Sequence, residues 1–134
     1  MSYSVVSGSE HSWEERPDIG GGTPRHTVDI TTAAELAESR ARIWRIPAGS
    51  RGRRHIEKTQ EEVFVVLEGT LTVLLGDPPE RFDLGPMSVV SVQPGGTGIQ
   101  LRNESDVDTV VFAYGAPPVT GEAEFLDDVE LGEL

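Results

Sequence analysis

The sequence predicts one all-β domain, a jelly-roll barrel with an irregular N-terminal arm, from three observations. The 134 residues suit a single domain with a real core. The 15 glycines and 9 prolines beside 37% hydrophobic residues are typical of short strands joined by many turns. Eight or so short apolar runs alternate with turn residues, which is the spacing of a sandwich or jelly-roll barrel. We assign residues 1–39 to an arm with an edge strand, 40–115 to the barrel core and 116–134 to an acidic C-terminal segment.

The N-terminal arm is predicted to be irregular, because Pro17, the glycines at 20–22 and Pro24 interrupt it. An edge strand is predicted at residues 27–30. Thr32 and Glu35 have capping-box spacing, which predicts a short helix over residues 33–38.

The barrel core begins with a loosely alternating strand over residues 40–46, which Pro47 and Gly49 end. Residues 63–67 and 70–75 are apolar, β-branched runs separated by Glu68 and Gly69, which predicts a tight hairpin between buried strands. Residues 76–80 form the next turn, since neither proline in it can donate to a strand ladder. Four more strands are predicted at residues 81–84, 88–92, 99–102 and 109–114.

Composition excludes several classes of protein. A net charge of −12 argues against nucleic acid and anionic membranes as partners. The longest apolar run, residues 63–67, is far shorter than the ~20 residues of a membrane-spanning helix. Residues 1–8 are polar and carry no export signal, so a cytoplasmic location is predicted. Without cysteine, a metal would need imidazole and carboxylate ligands.

Charge is unevenly distributed along the chain. Six arginines fall within one short stretch: Arg40, Arg42, Arg45, Arg51, Arg53 and Arg54. The last fifteen residues carry six acids and no base: Glu122, Glu124, Asp127, Asp128, Glu130 and Glu133. Two interpretations stay open, a solvated acidic tail or a tail that pairs with the arginine-rich stretch in the same or a partner subunit.

A first motif runs from Gly49 to Gly69, with His55, Glu57 and Glu62 between them. Its spacing resembles the first motif of the cupin family. A second block, which includes Pro94, Gly96, Ile99 and Asn103, resembles the family's second motif. The resemblance covers about residues 40–114 and implies a β-barrel, commonly dimeric, around a ligand cavity. We therefore expect a homodimer with a small-molecule ligand.

The resemblance also implies a metal site that is partly lost. The family's ligands are two histidines and a glutamate from the first motif and one histidine from the second. His55 and Glu62 match this pattern, Glu57 replaces an imidazole with a carboxylate, and Ile99 stands where the last histidine would be. His55, Glu57 and Glu62 could still hold iron, manganese, nickel or zinc. Without a cation the carboxylates would repel each other.

Arg53 is predicted to supply that cation, since alternate strand residues share a face and Arg53 shares one with His55 and Glu57. This favours a metal-free pocket over a metal-bound one. A relic cluster that carries no ligand is the plainest alternative. Ile99 and Leu101 share the facing parity, so an apolar wall is predicted, which suits a hydrophobic guest or simply a packed core. Phe64 shares parity with Glu62, so the predicted ligand contacts are Arg53, Phe64, Ile99 and Leu101.

Residues outside the metal-ligand positions of the two motifs have predicted roles as well. Asn103 is expected to tie down its turn, and Gly95 and Gly96 to adopt positive φ. His11 or His26 could replace the missing ligand but is expected to be a surface residue. Trp44 is predicted to pack in the core or at the barrel mouth, and Trp13 to cover the pocket or a subunit contact. Tyr114 could donate a proton inside the barrel.

Three functions follow from these observations. The first is a small-molecule-binding cupin acting as a metal-free isomerase or cyclase, with His55 and Glu62 as acid and base. The second is a metal-dependent oxygenase type using His55, Glu57 and Glu62. The third is a ligand-binding or sensor module without catalysis.

Overall fold

The computed structural model describes residues 2–119 and 121–133, which fold into two facing antiparallel sheets. Eleven strands are present in this part of the chain: β1 Glu14–Arg16, β2 Arg25–Asp29, β3 Arg40–Ile46, β4 His55–Ile56, β5 Glu61–Glu68, β6 Leu71–Leu75, β7 Glu80–Leu84, β8 Val89–Val92, β9 Ile99–Arg102, β10 Thr109–Ala116 and β11 Glu124–Phe125. A single helical turn, α1, spans Ile30–Ala33, and two short 3₁₀ helices span Gly8–Glu10 and Leu131–Glu133. The predicted all-β class is confirmed.

The larger sheet has the strand order β1-β2-β3-β10-β5-β8, and the smaller one has β11-β4-β9-β6-β7. β10 is central in the larger sheet, because it pairs with β3 on one side and with β5 on the other. Apolar side chains from both inner faces fill the space between the sheets: Ile46, Phe64, Val66, Leu71, Val73, Val90, Val92, Ile99 and Val111. This two-layer packing is the jelly-roll arrangement that the turn spacing predicts.

The predicted hairpin between β5 and β6 is wrong, although both strands exist. β5 pairs with β10 and β8, whereas β6 pairs with β9 and β7 in the other sheet. Gly69 turns the chain between the layers with φ 74°, and a side chain there would collide with the carbonyl of Asp108. Strands that are neighbours in sequence therefore lie in opposite layers.

The predicted helix over residues 33–38 is also wrong. Asp29, not Thr32, caps the observed turn α1, and its side chain accepts a hydrogen bond from the Thr32 N–H at 3.2 Å. Glu35 has φ 56°, a conformation that cannot continue a helix. The arm before the barrel contributes two strands, since β1 and β2 extend the larger sheet beyond β3.

The C-terminal segment lies along the smaller sheet. β11 pairs with β4, and the Leu126 N–H donates to the carbonyl of Arg54. The Asp128 carboxylate accepts from Arg51 at 2.7 Å and from Gln100 at 2.9 Å. Pairing of the acidic tail with the arginine-rich stretch of the same subunit is thereby confirmed for Arg51.

Within the described ranges, the helices are all too short and too polar to span a membrane.

Candidate ligand cavity with a histidine and two carboxylates

A cavity of about 460 Å³ lies between the sheets, lined by side chains from both and from the C-terminal segment. β3 contributes Arg40, Arg42 and Trp44, which alternate with outward-facing residues. Across β10, the positions paired with Arg40 and Arg42 are Gly115 and Ala113. These residues have little or no side chain, which leaves room for the cavity between β3 and β5.

His55 reaches the cavity from β4, a strand of two residues held between β9 and β11. Its Nδ1 lies 3.3 Å from the Arg53 carbonyl oxygen and donates to it, because a carbonyl can only accept. This leaves Nε2 directed at two carboxylates. Nε2 is 3.6 Å from Glu57 Oε1 and 3.5 Å from Glu62 Oε1.

Glu62 faces the cavity because of its place in β5. Glu61, one residue earlier, is exposed and accepts a hydrogen bond from Gln93 at 2.8 Å, so the alternation of the strand turns Glu62 inward. The Glu62 Oε1 atom is buried and has no hydrogen-bond partner among the described residues. A buried carboxylate oxygen without a partner is costly, and it indicates a position where a cation, proton or ligand is accommodated.

The pKa values of His55 and Glu57 are both raised. Burial lowers the pKa of His55, but the Glu62 carboxylate, with smaller contributions from the Arg53 carbonyl and Glu57, outweighs burial and leaves the pKa above its ordinary value of 6.5. Burial raises the pKa of Glu57, and the negative charge of Glu62 raises it further, against the opposing effects of His55 and Arg40. His55 is thus favoured in its charged form between two acids.

The residues present fit a divalent metal. One ligand atom from each of His55, Glu57 and Glu62 lies within 4.8 Å of the others, and the unpartnered Glu62 oxygen belongs to this set. The fourth position of the predicted motif offers no donor, since Ile99 is fully buried in the apolar core. The set therefore resembles a three-ligand facial site of mixed nitrogen and oxygen donors.

Arg53 does not have the place predicted for it. Its guanidinium lies over the ring of Phe125, 3.7 Å from the ring centre, and makes no ion pair with Glu57 or Glu62. Phe125 belongs to β11, which pairs with β4 at His55, so the C-terminal segment draws Arg53 away from the carboxylates. The prediction that Arg53 neutralises them is wrong.

The other predicted ligand contacts divide into two kinds. Arg53, Phe64 and Leu101 line the cavity. Ile99 does not, because it lies opposite His55 across the β4–β9 pair and its side chain packs into the core. Whether any of these residues contacts a ligand stays a prediction.

Three arginines of the cavity were missed by motif reasoning: Arg25, Arg40 and Arg42. The sequence does hold a signal for two of them. Arg40 and Arg42 have the same parity as Ile46 at the end of β3, and Ile46 is 1% exposed in the core. Strand alternation therefore turns both charged residues inward, where uncompensated charge is unusual.

The histidines of the arm do not join the cluster. His11 lies against the edge of Trp13, with ring centres 6.3 Å apart, and His26 pairs with Arg45 in the sheet. Trp44 and Tyr114 line the cavity, whereas Trp13 lies beneath the guanidinium of Arg45 at 4.4 Å.

The second motif has the structural role that was predicted for it. The Asn103 amide donates to the carbonyls of Ile46 at 2.8 Å and Val107 at 2.7 Å, which ties down the turn before β10. Gly95 and Gly96 have φ values of 103° and 152°. Asn103 itself does not line the cavity.

No protein-family model matches this chain, and no curated protein matches its sequence. Solved structures do resemble it. A sugar phosphate isomerase from a cupin superfamily, from Silicibacter pomeroyi, superposes with a TM-score of 0.72 at 16% identity over 92% of each chain. The polyketide cyclase RemF from Streptomyces resistomycificus gives 0.75 at 15% identity, over 94% of this chain and 87% of its own. KdgF from Halomonas sp. gives 0.69 at 20% identity, over 87% and 96%.

Proposed function

We propose that this protein, which has the cupin fold of these structures, binds a small organic molecule in its cavity and moves a proton on it as an isomerase or cyclase does. The observation that carries the proposal is the position of His55 on the cavity wall, 3.5 Å and 3.6 Å from two carboxylate oxygens. An acid and a base within reach of one bound molecule are what proton transfer requires. The names of two similar structures, an isomerase and a cyclase, support the same reaction class.

In this function the carboxylates and the imidazole have complementary roles. Glu62 takes a proton from the carbon beside a carbonyl group, and protonated His55 donates to the carbonyl oxygen, which gives the enol. Where the deprotonated carbon carries a hydroxyl, the enol is an enediol; a proton then returns to the former carbonyl carbon while the other hydroxyl loses its proton to become the new carbonyl, which completes an isomerisation. Alternatively, the enol carbon attacks a second carbonyl, the enol hydroxyl loses its proton, and the new alkoxide takes up a proton, which closes a ring. The raised pKa of His55 favours the protonated donor near neutral pH.

Proton exchange with solvent tests this function directly. Dihydroxyacetone phosphate and acetylacetone carry exchangeable protons beside a carbonyl, and their loss in deuterated water is followed by proton NMR. We expect exchange to be faster with the protein than without it, and to fall to the background rate in Glu62→Gln. Glu61→Gln is the matched control, because Glu61 is the neighbouring residue and faces outward.

The outcomes separate the alternatives. Saturable binding of either compound without exchange would contradict catalysis and leave a ligand-binding or sensor module. Equal rates for the Glu61 and Glu62 variants would contradict the assignment of the base. We further propose a homodimer in solution, which light scattering tests.

A second candidate is a metal-dependent enzyme of the oxygenase type, favoured by the unpartnered oxygen of Glu62 inside a compact set of ligand atoms. His55, Glu57 and Glu62 would hold iron, manganese, nickel or zinc, and the metal would supply Lewis-acid or oxygen chemistry. Metal content by mass spectrometry, after purification without chelator and after dialysis against each ion, decides between the candidates. Near-stoichiometric metal that is lost in His55→Ala would support this second candidate, and an empty protein under excess metal would overturn it.

A further inference from the structure

Nine of the ten arginines of this protein fall into two groups that differ in their partners. Five of them lie within 4.0 Å of a carboxylate: Arg16, Arg51, Arg54, Arg81 and Arg102. Four line the cavity instead: Arg25, Arg40, Arg42 and Arg53. Among the described residues, none of these four has a carboxylate within that distance. The remaining arginine, Arg45, lies outside the cavity over the ring of Trp13. In a chain of net charge −12 acids are abundant, so four arginines without an acidic partner in one cavity are unusual.

Arg42 is the clearest case. It faces the cavity from the middle of β3, between Asp29 on β2 and Ala113 on β10. The Asp29 carboxylate is already used, because Oδ1 accepts from the Thr32 N–H and Oδ2 from the Thr32 hydroxyl. Ala113 offers no acceptor. The Nη1 of Arg42 is accordingly buried without a hydrogen-bond partner in the part of the chain that the structure describes.

Arg25 repeats this pattern on the neighbouring strand. Its guanidinium lies over Trp44, 4.7 Å from the ring centre, and donates to the Pro17 carbonyl at 3.1 Å, while its Nε is buried and unpartnered. The acid that acts on it, Asp18, is engaged elsewhere, since it accepts from the backbone N–H groups of Arg51 and Gly22. Two half-buried arginines therefore each have one buried nitrogen that donates to no described residue.

Buried donors of this kind are rare in native proteins, since each destabilises the fold unless a ligand or water accepts from it. A guanidinium is also the side chain best suited to carboxylate and phosphate oxygens, which it binds in a bidentate fork. We propose that the cavity recognises an organic anion, a carboxylate or phosphate ester, whose anionic group is bound by Arg42 and Arg25. This inference rests on the proposed function only in that the cavity binds a small molecule.

The rest of the cavity indicates how such an anion lies. Trp44, Phe64, Leu101 and Phe125 provide an apolar lining, which suits an apolar or planar body. Glu57 and Glu62 repel a negative group at the other end. Strands β3 and β5 are separated by β10 and are thus about 10 Å apart. The anionic group therefore lies at the β2–β3 side, with the reacting carbons beside His55.

The test compares probes that differ only in charge. Phenylpropionate and phenylpropanol share a body and differ in the carboxylate, and phenyl phosphate and phenol form the corresponding phosphate pair. Binding is measured by isothermal titration calorimetry on the full chain and on two variants, Arg42→Met and Arg45→Met. Arg45 is the matched control, because it lies on the same strand, faces outward and does not line the cavity.

We expect each anion to bind at least about 10-fold more tightly than its neutral partner, and Arg42→Met to weaken anion binding about 10- to 100-fold with no change in Arg45→Met. Arg42→Lys, which keeps the charge, should retain most of the preference. The tighter of the two anions identifies carboxylate or phosphate as the recognised group. If Arg42→Met does not fold, the charge preference of the unaltered protein and the Arg42→Lys variant still decide the matter.

Two results would overturn the inference. Equal affinity for the acid and the alcohol would remove the anion preference, while proton exchange catalysed by the protein would leave the proposed function intact. Equal losses in Arg42→Met and Arg45→Met would show that the effect does not come from the cavity. Failure of all four probes to bind at about 10 mM would contradict both this inference and the cavity as a binding site.

Discussion

The arginines beneath the C-terminal segment and those in the cavity have opposite surroundings. Arg51, Arg54 and Arg102 bond to Asp128 or to the carbonyls of Asp127 and Val129, and they hold residues 126–129 against the smaller sheet. Arg25 and Arg42 lie in the same molecule with buried donors that no described residue accepts from. The donors of the first group are paired with acceptors of the C-terminal segment. The buried donors of the second group have lost contact with water without gaining hydrogen bonds in return.

The presence or absence of acceptors distinguishes an arginine that stabilises the fold from one that binds a ligand. A guanidinium with its acceptors already present lowers the free energy of the folded chain. A guanidinium without acceptors lowers the free energy of the folded chain only when a bound ligand supplies them. Substitutions in the first group should therefore mainly lower the free energy of unfolding. Substitutions in the second group should mainly weaken ligand binding.

The largest effect on stability is expected from substitution of Arg102, whose side chain is 8% exposed. It donates to Glu104, to the Gln100 side chain and to the Val129 carbonyl, so Arg102→Ala leaves three acceptors without their donor, of which Gln100 is fully buried. We expect a loss of ~2–4 kcal/mol in the free energy of unfolding, measured by urea denaturation. A loss below about 0.5 kcal/mol, the range typical of surface changes, would break the comparison between the two groups.

A second substitution gives a cavity arginine the acceptor it lacks. Ala113→Asp places a carboxylate on β10 in register with Arg42. This carboxylate would pair with Arg42 as Asp128 pairs with Arg51. We expect the affinity for phenylpropionate to fall about 10-fold or more, because an internal anion now occupies the guanidinium. Calorimetry checks this, and Ala113→Asn, which has the same shape without the charge, is the control. Equal losses in both variants would indicate a steric effect alone.

Asp128→Asn should have a smaller effect, about 1 kcal/mol at neutral pH, since the ion pair with Arg51 is partly exposed. Burial raises the pKa of Asp128, but hydrogen bonds from Arg51 and Gln100 outweigh burial, so the pKa lies below its ordinary value. A lowered folded-state pKa adds stability above the unfolded-state pKa and loses it as pH falls toward the folded one.

The window for that loss is below about pH 4. The free energy of unfolding, measured from neutral pH down through this window, should decrease less steeply in Asp128→Asn than in the unaltered protein. Parallel curves would mean that the carboxylate is not held by Arg51 and Gln100 in solution.

The smallest effect on stability is expected for Arg42→Met. Removing a buried donor without a partner relieves its desolvation, and the Met side chain keeps much of the packing. The free energy of unfolding should be unchanged or rise by up to ~1 kcal/mol. Thermal unfolding of Arg42→Met, with Arg45→Met as the control, measures this change. A loss above ~2 kcal/mol in the free energy of unfolding would show that Arg42 belongs to the structural group.

Local patterns in the sequence predicted local features well. Residues 99–102 form β9 at the predicted bounds, and Asn103 ties its turn as expected, because alternation and turn chemistry depend on neighbouring residues. The inward orientation of His55 and Glu62 follows from the same alternation.

Features that depend on distant residues were not predictable in this way. The apparent hairpin at Glu68 and Gly69 is a crossing between sheets, since β10, more than thirty residues later, is the partner of β5. Arg53 is drawn to Phe125 by a strand pairing that no spacing rule reveals. Arg25 reaches the cavity only because β2 joins β3 at the edge of the larger sheet.

The central place of β10 has a consequence for how the protein is made. During synthesis β3 and β5 leave the ribosome long before β10, and neither can complete its pairing in the larger sheet until the chain has been extended through Ala116. Until then β3 has only β2 as a partner and β5 has only β8, so the larger sheet exists at most as two separate halves. The larger sheet can therefore be completed only late in translation, once β10 is available to join its two halves.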